Sequence, residues 1–267
     1  MSSMPRTLCT FVSAYAAVVA CGAVSAAEPP RPDFTGLWTA HREPGAARAS
    51  GFGGPQAGLP LTEEGRKRIA DYNKLLGPER ANAAAYCVDY GVPTVMEMPG
   101  GYPLEFIQKP EQLTIIYEVE NETRRIYIGS RQLPTEKRLP SRDGYSEGHW
   151  EGDALVVKTT DLLDGQDQGG HPHSDQATLI ERFSLGKDDK GTKLIVYEAT
   201  LTDPIYYTAP VKIQRKYEPL ADGFIIPYRC PDEFWYTLLD LRREQVKAGK
   251  PGNARMSDVY KAREASE

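Results

Sequence analysis

From residue 94 to residue 229 the apolar positions fall in runs of five to ten residues, rich in β-branched and aromatic side chains. Turn signals separate the runs: Pro99-Gly100-Gly101, Lys109-Pro110, Glu120-Asn121, Glu151-Gly152-Asp153, Asp188 to Gly191 and Ala221-Asp222-Gly223. The pattern predicts strands at 103–108, 112–119, 123–129, 145–150, 153–160, 176–185, 192–202, 209–218 and 223–229. About nine strands joined mainly by tight turns make an antiparallel meander, and closing it into a barrel removes the exposed edges that a sandwich would keep. The expected fold class is therefore mainly β.

Helical spacing appears only at the flanks. Thr62 precedes Glu63-Glu64 and then Ile69, Tyr72, Leu75 and Leu76, which predicts a helix capped by Thr62, with acidic residues in its first turn and Gly77-Pro78 at its end. A second short helix from Glu79 toward Tyr86 completes a helical segment over 61–86. Phe34 to Trp38 is a short apolar run, and residues 43–60 are too rich in Gly, Ala and Pro for regular structure. Phe234, Leu238, Leu241 and Gln245 share one face of a C-terminal helix over 232–248, placed to cover one barrel end.

The first 27 residues have the layout of a signal peptide: Arg6, an apolar stretch from Leu8 to Val19, and small residues up to Ala27. That stretch is shorter than the roughly 20 residues of a spanning helix. Residues 28–267 are then one β-barrel domain, periplasmic or secreted, with lipidation at Cys21 as an alternative way of processing the leader. The formal charge of −5 and the scattered basic residues give no support to a nucleic-acid or anionic-lipid surface. Cys9 and Cys21 lie in the leader, so Cys87 and Cys230 are the pair expected to form a disulfide in an oxidising compartment.

Candidate chemistry concentrates around histidine. Of four histidines, His149, His171 and His173 flank one segment joining two predicted strands, and His171-Pro172-His173-Ser174-Asp175 follows a polar, Gly-rich loop. Two readings are open. In one, the histidines act as general acid and base, with Asp175 or Ser174 fixing a tautomer; in the other, they are loop residues bonded to backbone. A metal held by His-x-His with His149, Asp175 or Glu181 is a third reading, although Glu181 falls later than the cupin spacing requires. Tyr206 and Tyr207 at a strand end, and Tyr145 and Trp150 beside the histidine segment, are candidates to line a pocket, and Tyr145 also to donate a proton.

Strand alternation puts Glu181 on one side with Leu179 and Phe183, and Arg215 with Val211, Ile213 and Tyr217. Both charges are expected inside, either as a structural ion pair or with Arg215 anchoring a ligand oxygen while Glu181 orients a histidine.

With these residues assembled, the chain resembles a family of exported bacterial proteins. The resemblance is carried by Phe34-Thr35-Gly36-Leu37-Trp38, Leu61-Thr62-x-Glu64-Gly65, Cys87 with Gly91-Val92-Pro93, Arg124-Arg125-Ile126-Tyr127, Gly148-x-Trp150-Glu151-Gly152-Asp153, His171-Pro172-His173-Ser174-Asp175, Glu181-Arg182-Phe183 and Asp203-Pro204. It implies a lipocalin-like barrel, a shape that serves both carriers and enzymes. The family pattern reads Gly-His-Ser where this chain has Gly144-Tyr145-Ser146, so the resemblance sets Tyr145 at that histidine's position.

The expected function is a periplasmic, cofactor-free acid/base enzyme, a lyase, hydratase or isomerase acting on an aromatic or sugar-derived small molecule held inside the β-barrel. The expected catalytic residues are His171, His173, Tyr145, Asp175 and Glu181, and the substrate-binding ones Arg215, Trp150, Tyr206 and Tyr207. The alternatives are a non-catalytic carrier of a hydrophobic ligand and a metal-dependent enzyme. Neither metal, nucleic acid nor a membrane span is part of the main reading, and oligomeric state is left open.

Overall fold

Period-two alternation governs most of the chain because each strand buries one face and leaves the other wet. A computed structural model describes residues 31–42, 58–76, 88–97, 102–167, 170–228 and 232–264. The leader, Cys87, Cys230 and the helix expected after Glu79 lie outside the described residues.

The described residues form eleven strands: β1 (Gly36–Ala40), β2 (Leu104–Lys109), β3 (Gln112–Tyr117), β4 (Thr123–Ile128), β5 (Tyr145–Glu151), β6 (Ala154–Thr160), β7 (Gly165–Gln166), β8 (Pro172–His173), β9 (Thr178–Lys187), β10 (Lys193–Thr202) and β11 (Val211–Pro219). Nine of them close a barrel in the order β1-β11-β10-β9-β6-β5-β4-β3-β2, and β7 and β8 form a separate two-stranded ribbon. The expected closed, mainly β barrel is observed. It differs from the predicted strand set at two places. No strand forms over 223–228, where Phe224 and Ile226 are exposed; the ninth position belongs to β1, which pairs with both β2 and β11.

The second difference is a parallel pair. β4 and β5 align through Ile126↔Ser146, Tyr127↔Glu147 and Ile128↔Gly148, while the other barrel pairs are antiparallel. Residues 129–144 must therefore cross back along the barrel before β5 begins. The crossover re-enters at Gly144, whose φ of +60° and whose position, with a Cβ landing 2.3 Å from the Thr160 carbonyl oxygen, leave room only for glycine.

Among the described residues four α-helices accompany the barrel: α1 (Glu63–Leu76), α2 (Thr94–Glu97), α3 (Asp232–Lys247) and α4 (Met256–Glu264). Thr62 caps α1 as expected, its Oγ1 accepting the Gly65 N–H at 3.0 Å. α3 and α4 share a small core of their own, built on Leu238, Ala254, Met256 and Val259. Among the described residues no helix is long and apolar enough to cross a membrane.

The barrel interior is filled with side chains. Toward the end where β5 gives way to β6, Phe34 stacks on Trp150 with centroids 5.9 Å apart, and Phe106, Phe183 and Tyr197 continue the ring contacts inward. In the middle Arg124 and Glu181, both fully buried, form a bidentate pair at 2.7 and 2.5 Å. Ser146, Thr159 and Tyr197 supply its remaining hydrogen bonds. Toward the other end sits α2, whose four residues are all buried. The Tyr117 hydroxyl donates to Met96 Sδ at 2.9 Å and the Tyr217 hydroxyl to the Met96 carbonyl.

Candidate functional site

The site lies where β6 ends and β9 begins, on the loop that carries the ribbon β7–β8. Register pairs Gly165 with His173 and Gln166 with Pro172, so the chain doubles back between the two short strands, with His173 in β8 and His171 just before it. Asp167 opens that loop and fastens it. Its Oδ1 accepts the backbone N–H of His171 at 2.8 Å, its Oδ2 meets His171 Nδ1 at 2.8 Å, and its own N–H reaches the His171 carbonyl at 3.0 Å. The Thr94 hydroxyl, from α2, donates to the same Oδ2 at 2.5 Å. Asp167, His171 and Thr94 are all buried, so the carboxylate is defined by its donors and not by water.

His173 is 5% exposed, and its Nδ1 is buried without a hydrogen-bond partner. Burial pulls its pKa below that of free imidazole, against the attraction of Asp167, and Arg142 pushes in the same direction as burial. The ring is therefore neutral near neutral pH, and an unpartnered nitrogen on a neutral imidazole has a lone pair or an N–H to offer.

A second carboxylate holds the next residues. Asp203 accepts the Ser174 N–H at 2.7 Å and the Ser174 hydroxyl at 2.8 Å, and also the N–H groups of Ile205 and Tyr206. This turn after β10 presents Tyr207, whose hydroxyl donates to the Pro172 carbonyl at 2.8 Å. It also presents Tyr206, whose hydroxyl donates to Asp164 at 3.0 Å. Burial, then the hydrogen bond to Asp164, push the Tyr206 hydroxyl up to about 12. α1 seals the flank: Thr62 Oγ1 donates to the Ile205 carbonyl, Arg68 reaches Asp164 at 3.4 Å, and the Arg68 carbonyl accepts from Gln166.

Of the residues expected from sequence, His171, His173, Tyr206 and Tyr207 meet at this mouth. The others do not. Tyr145 points away from the barrel interior, under the crossover, stacked on Tyr127 at 5.4 Å with Arg138 over its ring at 4.1 Å. Asp175 is exposed, and the orienting carboxylate of His171 is Asp167. Glu181 is taken up by Arg124 inside the barrel. Arg215, the partner expected for Glu181, pairs instead with Glu97 of α2. Trp150 is at the opposite barrel end, and His149 is an exposed residue 3.0 Å from Glu151. Among the described residues no three His, Cys, Asp or Glu side chains converge as a metal-binding set.

Sequence reasoning missed Asp167, Thr94, Asp203 and Arg142. Asp167 sits four residues before His171 in the Gly-rich loop and was legible as a carboxylate able to fold back on it. Thr94 carries no such mark, being 73 residues from its partner.

A cavity of about 200 Å³ opens at the parallel seam, lined in part by Arg124, Arg125, Asp143, Tyr127 and Ser141. Between the lining residues Ser141 and Asp143 in sequence, Arg142 turns its guanidinium to the Gln166 carbonyl, to which it donates at 3.4 Å. No family model and no curated protein matches the chain.

Proposed function

We propose that this protein is an exported, cofactor-free acid/base enzyme, a lyase, hydratase or isomerase, that works on an aromatic or sugar-derived small molecule at the barrel mouth. The observation that carries this reading is the pairing of two unlike histidines: His171 is fixed by Asp167, and His173 is buried with an unpartnered Nδ1. A base must be neutral to accept a proton, which suits His173. A histidine backed by a carboxylate is stabilised when charged, which suits His171 as the partner that holds and returns the proton. Tyr206 and Arg142 flank the pair as substrate-contacting groups, and Ser174 with Asp203 keeps the loop in register.

The same reading assigns Glu181 to a structural pair and leaves Tyr145, Asp175, Trp150 and Arg215 outside the chemistry. A periplasmic location and a Cys87–Cys230 disulfide belong to the proposal, resting on the leader-like N-terminus and the two remaining cysteines. The filled barrel interior favours a substrate at the mouth over a hydrophobic ligand carried in a central calyx.

The test is to incubate the mature protein, beside a His171→Ala/His173→Ala variant, with a mixed library of aromatic glycosides, lignin-like dimers and oxidised sugars, following every mass. A compound consumed by wild type and spared by the variant supports the enzyme. A compound retained unchanged and equally by both would replace it with the carrier.

A further inference from the structure

The parallel seam leaves part of the barrel wall open. β4 and β5 come into register only at Ile126↔Ser146, so Thr123, Arg124 and Arg125 on one side and Asp143 and Gly144 on the other lie before the first pair of the seam. The cavity of about 200 Å³ sits at this divergence, with those residues in its lining. It is smaller than the roughly 300–1,000 Å³ of pockets for drug-sized ligands, which limits an occupant to one small ring.

The two walls differ in what they offer. Burial along β4 alternates, with Arg124, Ile126 and Ile128 buried and Thr123, Arg125 and Tyr127 on the outer face. That outer row brings a hydroxyl, a guanidinium and a phenol ring to the cavity. Among the described residues Arg125 forms no ion pair and no side-chain hydrogen bond. The Tyr127 ring is held by stacking on Tyr145, with centroids 5.4 Å apart and planes 23° from parallel. Across the gap the crossover supplies Ser141 and Asp143. Asp143 Oδ1 is buried, and no N–H or O–H of the described residues donates to it. Buried acceptors are nearly always given a donor, so one left without it beside a cavity calls for a donor from outside the chain. A water molecule would meet that one need, but it makes no use of the ring and the arginine opposite.

We infer that this cavity is a binding site for a neutral polyhydroxylated ring, a single pyranose sugar. The lining disfavours a ligand of either charge. An anion would set its charge beside Asp143, and a cation would set its own beside Arg125, with Arg124 behind it. A sugar is uncharged and both donates and accepts. Its hydroxyls donate to Asp143, accept from Arg125 and exchange bonds with Ser141 and Thr123, while a C–H face lies on Tyr127. Arg124 is not called on, because its donors are spent on Glu181, Ser146 and Thr159. The site takes none of its lining from the histidine mouth, so it stands whether or not the histidines are catalytic.

The test is a titration of the nitrogen-15-labelled mature protein with methyl α-D-glucopyranoside, D-galactose and L-rhamnose, each to about 50 mM. A pyranose of about a dozen non-hydrogen atoms should bind with a millimolar Kd. At least one sugar should shift the amides of Arg125, Tyr127 and Gly144 saturably. Arg125→Ala and Asp143→Asn should each weaken that binding about tenfold, the loss expected when a hydrogen bond to a charged group goes. Arg125 is exposed, so its variant keeps the fold even if that of Asp143 does not. The His171→Ala/His173→Ala variant should bind the sugar as wild type does, which separates this site from the catalytic reading. No saturation by any of the three sugars, or equal binding by wild type and Arg125→Ala, would overturn the proposal. So would saturation of the same amides by glycine, phosphate or choline in place of the sugars.

Discussion

Asp167 grips His171 at two points, the backbone N–H and the ring Nδ1, both at 2.8 Å. A side chain that fixes a residue's main chain and its ring together leaves the imidazole almost no rotational freedom. The tautomer then follows, because a carboxylate accepts and the ring nitrogen facing it carries the proton.

Asp167→Asn should therefore do more than weaken a contact. The amide keeps one acceptor but removes the charge, so the Nδ1–H tautomer of His171 should lose population, and stability should drop by about 1.5–3 kcal/mol, the range for hydrogen bonds to charged groups. Nitrogen-15 spectra of the imidazole and urea denaturation report the two effects separately.

His173 makes stability depend on acid. Its pKa in the folded protein is below that of the free side chain, so the unfolded chain binds more protons, and stability falls as the pH drops below about 6.5. Above that value the contribution is fully present. The urea midpoint of wild type should decline between about pH 7 and pH 5 more steeply than that of His173→Gln.

The Arg124–Glu181 pair should behave as a buried pair. Glu181→Gln or Arg124→Met alone strands the other member and should cost about 3–5 kcal/mol. The double variant Arg124→Met/Glu181→Leu should recover much of that loss, short of wild type because Tyr197 loses its acceptor. A double-mutant cycle by denaturation measures the coupling.

Tyr145→Phe separates the position matched by the family resemblance from the mouth. Its hydroxyl accepts the N–H of Leu133 on the outer side of the barrel. The substitution should cost about 0.5–1.5 kcal/mol and leave any His-dependent turnover unchanged. A loss of turnover comparable to that of His173→Ala would return Tyr145 to the chemistry.

At the cap of α1, Thr62→Ala should cost about 1–2 kcal/mol, because the hydroxyl both receives the Gly65 N–H and donates to the Ile205 carbonyl. Thr62→Ser should be close to neutral. Thermal denaturation of the two variants checks it.

Eight of the nine barrel strands were legible because alternation over six to ten residues is a strong signal. β1 was not, since only Trp38 among its five residues is buried, and the run over 223–229 imitated a strand with apolar residues that stay exposed. Parity explains the error at Tyr145 and Trp150. They are an odd number of residues apart on one strand, so they face opposite sides, and Ser146 with Trp150 takes the inner one. The histidine loop was found because His171 and His173 stand two residues apart beside a polar, Gly-rich stretch, whereas His149, expected with them, lies apart on β5. Its connection to α2 was hidden, since nothing local marks a threonine that bonds an aspartate from a distant segment.

The place of β1 has a consequence for assembly. The strand made first lies between β2 and the strand made last, so the ring stays an open sheet with two bare edges until Val211–Pro219 has been synthesised. Closure is a late step of high contact order, and it joins the extremities of the barrel sequence instead of neighbours. A chain cut before residue 211 would not be a smaller barrel but an adhesive half-product, and the nascent protein needs shielding until its end is free.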